Sequence, residues 1–389
     1  MSTQTTIDPP LAAVSEDRAD TTIVDVQAWV MSTPVDPPWK IATALYDEMF
    51  AVFVEVELAC GAVGWGEVLV RLAPGSPKAM IDEYFRPLLL GRDARNVAKI
   101  WDDLYWMFRT RGHSRGIVVE AISGVDIAIW DALGHAAGRP IADMLLGYGR
   151  TEIPCYASSV MVIDKKSTAR EVERLLADGY RGIKIKVGQG VRYDAERIAL
   201  AREMVGDDVE IMIDVNGTFD LAQATEFCGR VREHNVSWVE EPLLPDDLTG
   251  YRRLAATHPD VPLAAGEAEF TTAGFREFCA DRLLTTWQPD VARAGGITGV
   301  TRIAALAQAY DISVSPHVGA SAGVCAAASV QLAAAIPNLR IYEHMYMEHD
   351  LQDVFVEGRI RAVNSVISVP QGPGLGLTVD TAKVDRMKA

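Results

Sequence analysis

The chain has 389 residues, of which 49% are hydrophobic and 23% are charged. This length and composition are sufficient for one large domain and a smaller one, and they exclude a disordered chain. The formal net charge of −16 argues against a surface that binds nucleic acid or an anionic membrane. Any anionic ligand would therefore have to be attracted by local positive charge.

Residues 1–20 combine Pro, Ser, Thr and charged side chains, without the basic start and apolar core of a secretory signal. We therefore expect a flexible N-terminal tail and a cytoplasmic protein. The five cysteines are scattered without CxxC spacing, which is typical of a reducing compartment. No apolar run reaches the ~18 residues of a membrane span, so no membrane association is predicted.

Residues 21–150 are predicted to form a small α+β domain. The β-branched runs TTIVDVQAWV and MFAVFVEVEL predict antiparallel strands, and the proline-rich stretch TPVDPPWKIATALYD between them predicts a mobile connection. Helical periodicity follows over residues 77–90, 97–108 and 117–137.

Short apolar runs alternate with amphipathic stretches over residues 151–350. Eight runs predict strands, with seven helices between them: PCYASSVMV, GIKIKV, VEIMIDV, VSWVEE, VPLAAGE, LLTTWQPD, ISVSPH and LRIYEH. Reactive groups recur along the whole series, which favours a barrel over an open doubly wound sheet. We predict an α/β fold, a modified TIM barrel of the (β/α)7β type with an N-terminal α+β capping domain. Residues 351–389 are expected to return to that capping domain and complete it.

Six acidic or basic side chains lie near the ends of successive apolar runs: Asp214, Glu240, Glu267, Asp290, His317 and Glu343. Neighbouring members are between 23 and 27 residues apart, by subtraction of their numbers. This interval fits one strand, one helix and two short connections, so each βα unit places one group at the same end. In a parallel barrel these ends form the face on which active sites are built.

Three carboxylates from consecutive predicted strands, Asp214, Glu240 and Glu267, offer hard oxygen ligands. Their number and type suit one Mg²⁺, whose other octahedral positions stay open to water and substrate. No His or Cys interrupts the set, so zinc is less favoured. A single acid at a strand end is more often solvated or salt-bridged, but three on adjacent strands favour the metal site.

Two basic elements supply candidate proton-transfer groups. Lys184 and Lys186 alternate on one strand and share a face, where repulsion and burial would lower a lysine pKa toward that of a general base. Alternating lysines more often mark a solvated face, although here the flanking Ile and Val side chains would point toward helices. Asp290 lies one strand before His317 and can accept its Nδ1–H, leaving Nε2 free to transfer a proton.

Six elements resemble those of the enolase superfamily, in its mandelate racemase subgroup: KIK at 184–186, IDVN at 213–216, VEEP at 239–242, AGE at 265–267, QPD at 288–290, and His317. The resemblance covers the whole barrel, and residues 123–147 are similar to the family's domain junction. It implies that Asp214, Glu240 and Glu267 bind Mg²⁺, with Lys186 on one substrate face and the His317–Asp290 pair on the other.

The resemblance also implies roles for the remaining site residues. Lys184 would bind the substrate carboxylate and depress the pKa of Lys186, and Glu343 would hydrogen-bond the enediolate. Ser158 and Asn216 match positions that line the pocket. The partner implied is a small-molecule carboxylate, and a homo-oligomer is expected.

The shared chemical step is removal of the proton α to a carboxylate, and its continuation stays open at this point. In a dehydratase, a β-hydroxyl leaves and a 2-keto-3-deoxy acid forms; in a racemase, the opposite base returns the proton. The lid residues 109–115 and Lys40 offer donors suited to a polyhydroxy acid, which places an acid-sugar dehydratase first. The lid arginines are equally explained as surface salt-bridge partners. A noncatalytic binding relative remains the alternative from a different class.

Overall fold

The N-terminal region is a three-stranded antiparallel sheet covered by helices. The computed structural model describes residues 20–279 and 283–389, so most of the predicted tail, residues 1–19, lies outside the described residues, as does the side chain of Ser159. The sheet has the order β1 (Ile23–Lys40), β2 (Leu45–Leu58) and β3 (Val63–Leu69). The helices are α1 (Gly75–Met80), continued by a π-helical turn (Ile81–Phe85), α2 (Arg86–Leu89), α3 (Val97–Arg109), α4 (Ile117–Ala137) and α5 (Ile141–Met144).

The prediction of a mobile proline-rich connection between β1 and β2 was wrong for most of that stretch. Strand β1 continues to Lys40, and in this stretch its pairing with β2 is interrupted between Pro34 and Trp39, where prolines lack N–H donors. Pairing resumes because Trp39 is buried and aligns with Tyr46. The connection is thereby reduced to residues 41–44.

Strand β3 packs directly against the backbone of α4. A Cβ atom on Gly64 would lie 2.1 Å from the Ala132 nitrogen, and one on Gly66 would lie 1.9 Å from the Gly124 carbonyl oxygen. Only glycine allows this approach. These glycines therefore allow the backbones of β3 and α4 to pack in direct contact.

Eight parallel strands form the second unit: β4 (Glu152–Val160), β5 (Gly182–Lys186), β6 (Glu210–Asp214), β7 (Trp238–Glu240), β8 (Leu263–Ala265), β9 (Thr286–Trp287), β10 (Ser313–Val314) and β11 (Tyr342–Met345). They are paired in chain order, β11 pairs with β4, and a bridge joins Val314 to Leu339. The helices between them are α6 (Lys165–Ala177), α7 (Val191–Val205), α8 (Leu221–Val231), α9 (Leu248–Thr257), α10 (Thr271–Phe275), α11 (Gly296–Gln308) and α12 (Gly323–Ala335). The predicted fold class is confirmed.

The inside of the barrel is closed below the active-site end by large side chains. A separate buried cluster contains Tyr156, Met212, Trp238, Ala264 and Ile341. Each comes from a strand or the residue before it, and together they fill the interior as bulky layers do in such barrels. This cluster fills the interior below the carboxyl ends of the strands, where the predicted reactive groups lie.

The end of the chain returns to the N-terminal sheet. Strand β12 (Val366–Ser368) pairs antiparallel with β4, and α13 (Thr381–Met387) follows. The backbone N–H of Ala389 then donates to the Val30 carbonyl in β1, at 3.0 Å. Within the described part of the chain, no helix combines the length and apolar character needed to cross a bilayer.

Two buried carboxylates of α4 bind backbone N–H groups of the barrel and the tail. Asp126 Oδ2 accepts from Thr298 N in the first turn of α11, at 2.8 Å, and Asp131 Oδ1 accepts from Leu375 N, at 2.7 Å. Burial raises the pKa of each carboxyl to about 7, although these hydrogen bonds oppose the shift. Helix α4 thus contributes to joining the two units.

Candidate active site

The three predicted metal ligands meet at the open end of the barrel. Asp214 ends β6, Glu240 ends β7, and Glu267 follows β8 by two residues. One carboxylate oxygen of each lies within 4.8 Å of the others. Because Asp214 and Glu240 are fully buried, their charges require compensation, and three hard oxygen donors fit Mg²⁺.

Neighbouring side chains orient Glu240 by hydrogen bonds. Its Oε2 accepts from Gln288 Nε2 at 2.7 Å and from Trp238 Nε1 at 3.2 Å. Gln288 directly follows β9, in the motif that also contains Asp290, and its role was not predicted. Such outer partners fix ligand geometry in metal sites.

The two lysines of β5 both point into the barrel, as strand alternation predicts. Lys184 Nζ lies 2.9 Å from Glu240 Oε1 and 2.6 Å from Glu343 Oε1, and Lys186 Nζ lies 2.5 Å from Asp214 Oδ2. Burial lowers the pKa of both amines, but the facing carboxylates raise it, and the net pKa of each is raised. The expected repulsion does lower the pKa of Lys186, but the facing carboxylates, which are also the proposed metal ligands, outweigh it.

The His317–Asp290 pair forms as predicted from adjacent strands. His317 Nδ1 donates to Asp290 Oδ2 at 2.7 Å, and Nε2 faces Glu267 Oε2 at 3.2 Å. Burial lowers the pKa of His317, whereas Glu267, Glu343 and the bond to Asp290 raise it, to a net value of about 10. The imidazole is thus oriented with Nε2 toward the carboxylate cluster.

The remaining predicted residues surround this cluster. Glu343 is buried, accepts from Val318 N at 2.7 Å and is hydrogen-bonded by the Ser158 hydroxyl. Burial raises the pKa of Glu343, but Lys184 and His317 lower it to about 2. These contacts place Glu343 between Lys184 and His317.

Asn216 takes a left-handed backbone conformation with φ +50° directly after β6. Its N–H donates to Asp214 Oδ1 at 2.9 Å, and among the described residues its own Oδ1 is buried without a hydrogen-bond partner. An unpaired buried oxygen at this position suits a pocket-lining role.

The sequence reasoning missed Glu241, the residue that follows Glu240. It is buried, has φ +37° and accepts a backbone hydrogen bond from Gly217 through its carbonyl, at 2.8 Å. Burial and the neighbouring acids Glu267 and Asp214 raise its pKa well above the usual value. Its place as the second Glu of the VEEP motif, next to a predicted metal ligand, is the sequence feature that could have pointed to it.

Two residues of the N-terminal unit at the site were also missed. Arg71 is half-buried just after β3. Burial lowers its pKa, but Tyr46, Glu267 and Asp290 raise it, and the net pKa is raised. Glu67, within β3, is buried, and burial raises its pKa to about 8. No local sequence signal marks either residue, because both reach the barrel only through the tertiary fold.

The contacts of the predicted lid residues lie outside the carboxylate cluster of Asp214, Glu240 and Glu267. Arg115 forms an ion pair with Glu269 at 2.5 Å, Arg111 donates to the Met107 carbonyl, and Arg109 stacks on Tyr105. The Lys40 side chain is exposed, and its carbonyl accepts from Val162 N. The salt-bridge interpretation therefore holds for Arg115, whereas Arg111 and Arg109 make a hydrogen bond and a cation–π contact.

Two family models match the chain. The model described as enolase C-terminal domain-like matches residues 167–383, and that of the mandelate racemase / muconate lactonizing enzyme N-terminal domain matches residues 22–147. Together they cover both units described above.

Named relatives include enzymes of more than one reaction type. D-galactarolactone cycloisomerase of Agrobacterium fabrum is 32% identical over 92% of this chain and 96% of its own. Arabinonate dehydratase of Saccharolobus solfataricus is 32% identical over 85% of this chain and 88% of its own. A racemase from Streptomyces coelicolor A3(2), solved with bound magnesium, superposes with a TM-score of 0.86 at 28% identity, covering 94% of this chain and 100% of that one. The chain therefore belongs to the enolase superfamily, among its mandelate racemase-like members.

Proposed function

We propose that this protein is a Mg²⁺-dependent enzyme that removes the proton α to the carboxylate of a sugar acid and then expels the oxygen at the β carbon. One observation carries the proposal: two proton-transfer groups reach the same carboxylate cluster from two sides. Lys186 Nζ lies 2.5 Å from Asp214 Oδ2, and His317 Nε2 lies 3.2 Å from Glu267 Oε2. A ligand held at the cluster would contact both groups.

The metal is assigned to Asp214, Glu240 and Glu267, whose oxygens converge within 4.8 Å. When bound, Mg²⁺ would stabilise the negative charge that develops on the substrate carboxylate. Lys184 supplies a second positive charge at the same place, since it is fully buried against Glu240 and Glu343. Glu343 is proposed to hydrogen-bond the enediolate beside it. Concentrated charge in a site closed to water is worth more than in solution.

The proton steps follow from this placement. Lys186 or His317 takes the α proton, and the electrons of the broken C–H bond form the enediolate. His317 gives a proton to the β oxygen as the C–O bond breaks, and Asp290 stabilises the imidazole through Nδ1. With a β-hydroxyl, water leaves and the enol becomes a 2-keto-3-deoxy acid. We place this dehydration first, and the positive charge of Arg71, which interacts with Glu267 and Asp290, supports a polyhydroxy or anionic substrate.

Ring opening is the second candidate, because the cycloisomerase relative is 32% identical over 92% of this chain. The same elimination on a lactone or cyclic ether breaks a ring C–O bond, so the leaving oxygen stays attached and the product is an isomer. Racemisation is the third candidate, since two facing bases also permit the proton to be returned on the opposite face.

The deciding experiment incubates the purified protein with MgCl₂ and a library of aldonates, aldarates and aldarolactones in D₂O. Mass spectrometry and NMR separate the outcomes: a keto acid lacking one water means dehydration, and a keto acid isomer means ring opening. Deuterium at the α carbon without a keto group means racemisation. The control is the Lys186→Ala, His317→Asn double variant with the same library. Absence of turnover and of α-deuterium across the library would contradict the proposal and favour a noncatalytic relative.

A further inference from the structure

Glu67 of β3 binds the first turn of a barrel helix. Its Oε1 accepts from Ala322 N and its Oε2 accepts from Cys325 N, both at 2.7 Å. Ala322 is the residue before α12, and Cys325 lies in its first turn. A helix start leaves four N–H groups without internal partners, and here a carboxylate from the other unit satisfies two of them.

The bound turn is directly connected to His317 through residues 318–322. Val318 N donates to Glu343 at the near end of this segment, and Glu67 holds its far end. Between these anchors, the segment passes over the imidazole, because a Cβ atom on Gly319 would lie 2.7 Å from His317 Nε2. A shift of the segment would therefore move the atom that faces the carboxylate cluster, or cover it.

Glu67 is itself held rigidly. Its neighbour Gly66 lies against the backbone of α4, and Leu69 N donates to the Ala292 carbonyl at 3.1 Å. Ala292 N in turn donates to Asp290 Oδ1 at 2.8 Å. The same strand therefore contacts the chain next to both members of the His317–Asp290 pair.

We propose that Glu67 is a positioning residue of the reaction, which fixes residues 318–322 and thereby directs His317 Nε2 toward the substrate. Its expected effect on turnover rests on the proposed function, whereas its expected effect on the imidazole does not. A purely structural Glu67 would lower the stability of the fold without a specific effect at His317.

The test compares Glu67→Gln with Asp131→Asn in the full-length protein with Mg²⁺. Asp131 is a matched control, because it is also a buried carboxylate of the N-terminal unit that accepts from the backbone, at Trp65 and in the tail. The carboxamide of Glu67→Gln keeps one acceptor and loses the other. Thermal midpoints of both variants give the general loss of stability.

The first readout requires no substrate. In protein labelled with ¹⁵N-histidine, the His317 Nδ1 proton bonded to Asp290 gives a resonance that His317→Asn identifies. We expect this resonance to shift or broaden in Glu67→Gln and to stay unchanged in Asp131→Asn. An unchanged resonance in Glu67→Gln would overturn the proposal, whether or not any sugar acid is turned over.

The second readout is turnover of the sugar acid found in the library. Because small misplacements of catalytic groups cost up to about 10²-fold, we expect kcat of Glu67→Gln to fall about 10- to 100-fold with KM within about twofold. Asp131→Asn should stay within about threefold of wild type. Equal losses in both variants would overturn the positioning role. If Glu67→Gln does not fold, Glu67→Asp replaces it with the same expectations, because its shorter side chain cannot reach both N–H groups.

Discussion

The candidate site has a lysine side, formed by Lys184 and Lys186, and a histidine side, formed by Asp290 and His317. Different contacts keep the two sides in place. Lys184 and Lys186 lie on β5, which pairs along its full length with β6, from Gly182 opposite Glu210 to Lys186 opposite Asp214. Strands β9 and β10 have two residues each and share two residue pairs. The barrel therefore supports the lysine side by itself, whereas the histidine side needs support from outside.

That outside support comes from the N-terminal unit, through hydrogen bonds to backbone. Glu67 accepts hydrogen bonds at the start of α12, the helix that follows His317 in the chain. Asp126 does the same at the start of α11, the helix that follows Asp290. On the lysine side, ion pairs join Lys184 and Lys186 to carboxylates that are also the proposed metal ligands. Metal binding would rearrange the lysine contacts and leave the histidine supports in place.

The largest loss of turnover is expected when the proton-transfer group of one side is removed. Lys186→Met should lower kcat by about 10²- to 10⁴-fold, the usual contribution of a positioned general base. Exchange of the substrate α proton with D₂O should persist for the configuration served by His317, and His317→Asn should show the opposite pattern. Mg²⁺ affinity, measured by calorimetry, should not fall in Lys186→Met, because the lost amine faced Asp214. A large loss of affinity would contradict the separate roles of the two sides.

A smaller effect should follow from disturbing the histidine side alone. In Gly319→Ala, the new Cβ would lie 2.7 Å from His317 Nε2, so the imidazole must move. We expect a loss of turnover of about 10-fold, within the range known for small misplacements. Gly75→Ala is the control, because a Cβ there meets no atom within 4 Å. Wild-type turnover in Gly319→Ala would show that the segment does not constrain His317.

Buried carboxylates of the N-terminal unit should also make stability depend on pH. Burial raises the pKa of Asp131 from 3.8 to about 7, so its stabilising contribution is complete below the unfolded value and is lost as pH rises through 7. Unfolding free energy should fall with a slope of about 1 kcal/mol per pH unit from this group. Urea unfolding between pH 5 and pH 8 should show a flatter dependence in Asp131→Asn. An equally steep curve in that variant would assign the pH dependence to other groups.

The smallest effect is expected at the surface, outside both sides. The Arg115 side chain is 53% exposed but its partner Glu269 is 7% exposed, so we use Arg115→Lys, which keeps a positive charge beside that carboxylate and should cost at most about 1 kcal/mol of stability. Turnover and KM should stay within about threefold of wild type. An increase of KM by more than tenfold would instead assign Arg115 to substrate binding, as a lid residue.

The barrel and its ring of reactive groups could be predicted from the sequence because they are local. Each strand carries its own group at its own end, so a spacing near one βα unit was sufficient to place Asp214, Glu240 and His317. The end of β1 could not be predicted, because burial of Trp39 outweighs the prolines before it. The raised lysine pKa depends on carboxylates from other strands.

The roles of Glu67 and Arg71 could not be predicted for a different reason. Glu67 is separated along the chain by 255 and 258 residues from the two groups that it binds. Such a contact leaves no periodic pattern, since it exists only after the N-terminal strand has docked on the barrel.

The docking of the N-terminal unit through backbone N–H groups has a consequence for how the protein can change. Glu67 and Asp126 accept from peptide N–H groups rather than from side chains, so most side-chain changes in the first turns of α11 and α12 keep these donors; Gly296 is an exception, because a Cβ atom there would lie 2.4 Å from Asp126 Oδ2. An insertion or deletion in these turns would instead displace the donors. The contact between the two units is therefore less sensitive to side-chain changes away from Gly296 than to changes in the length of these turns.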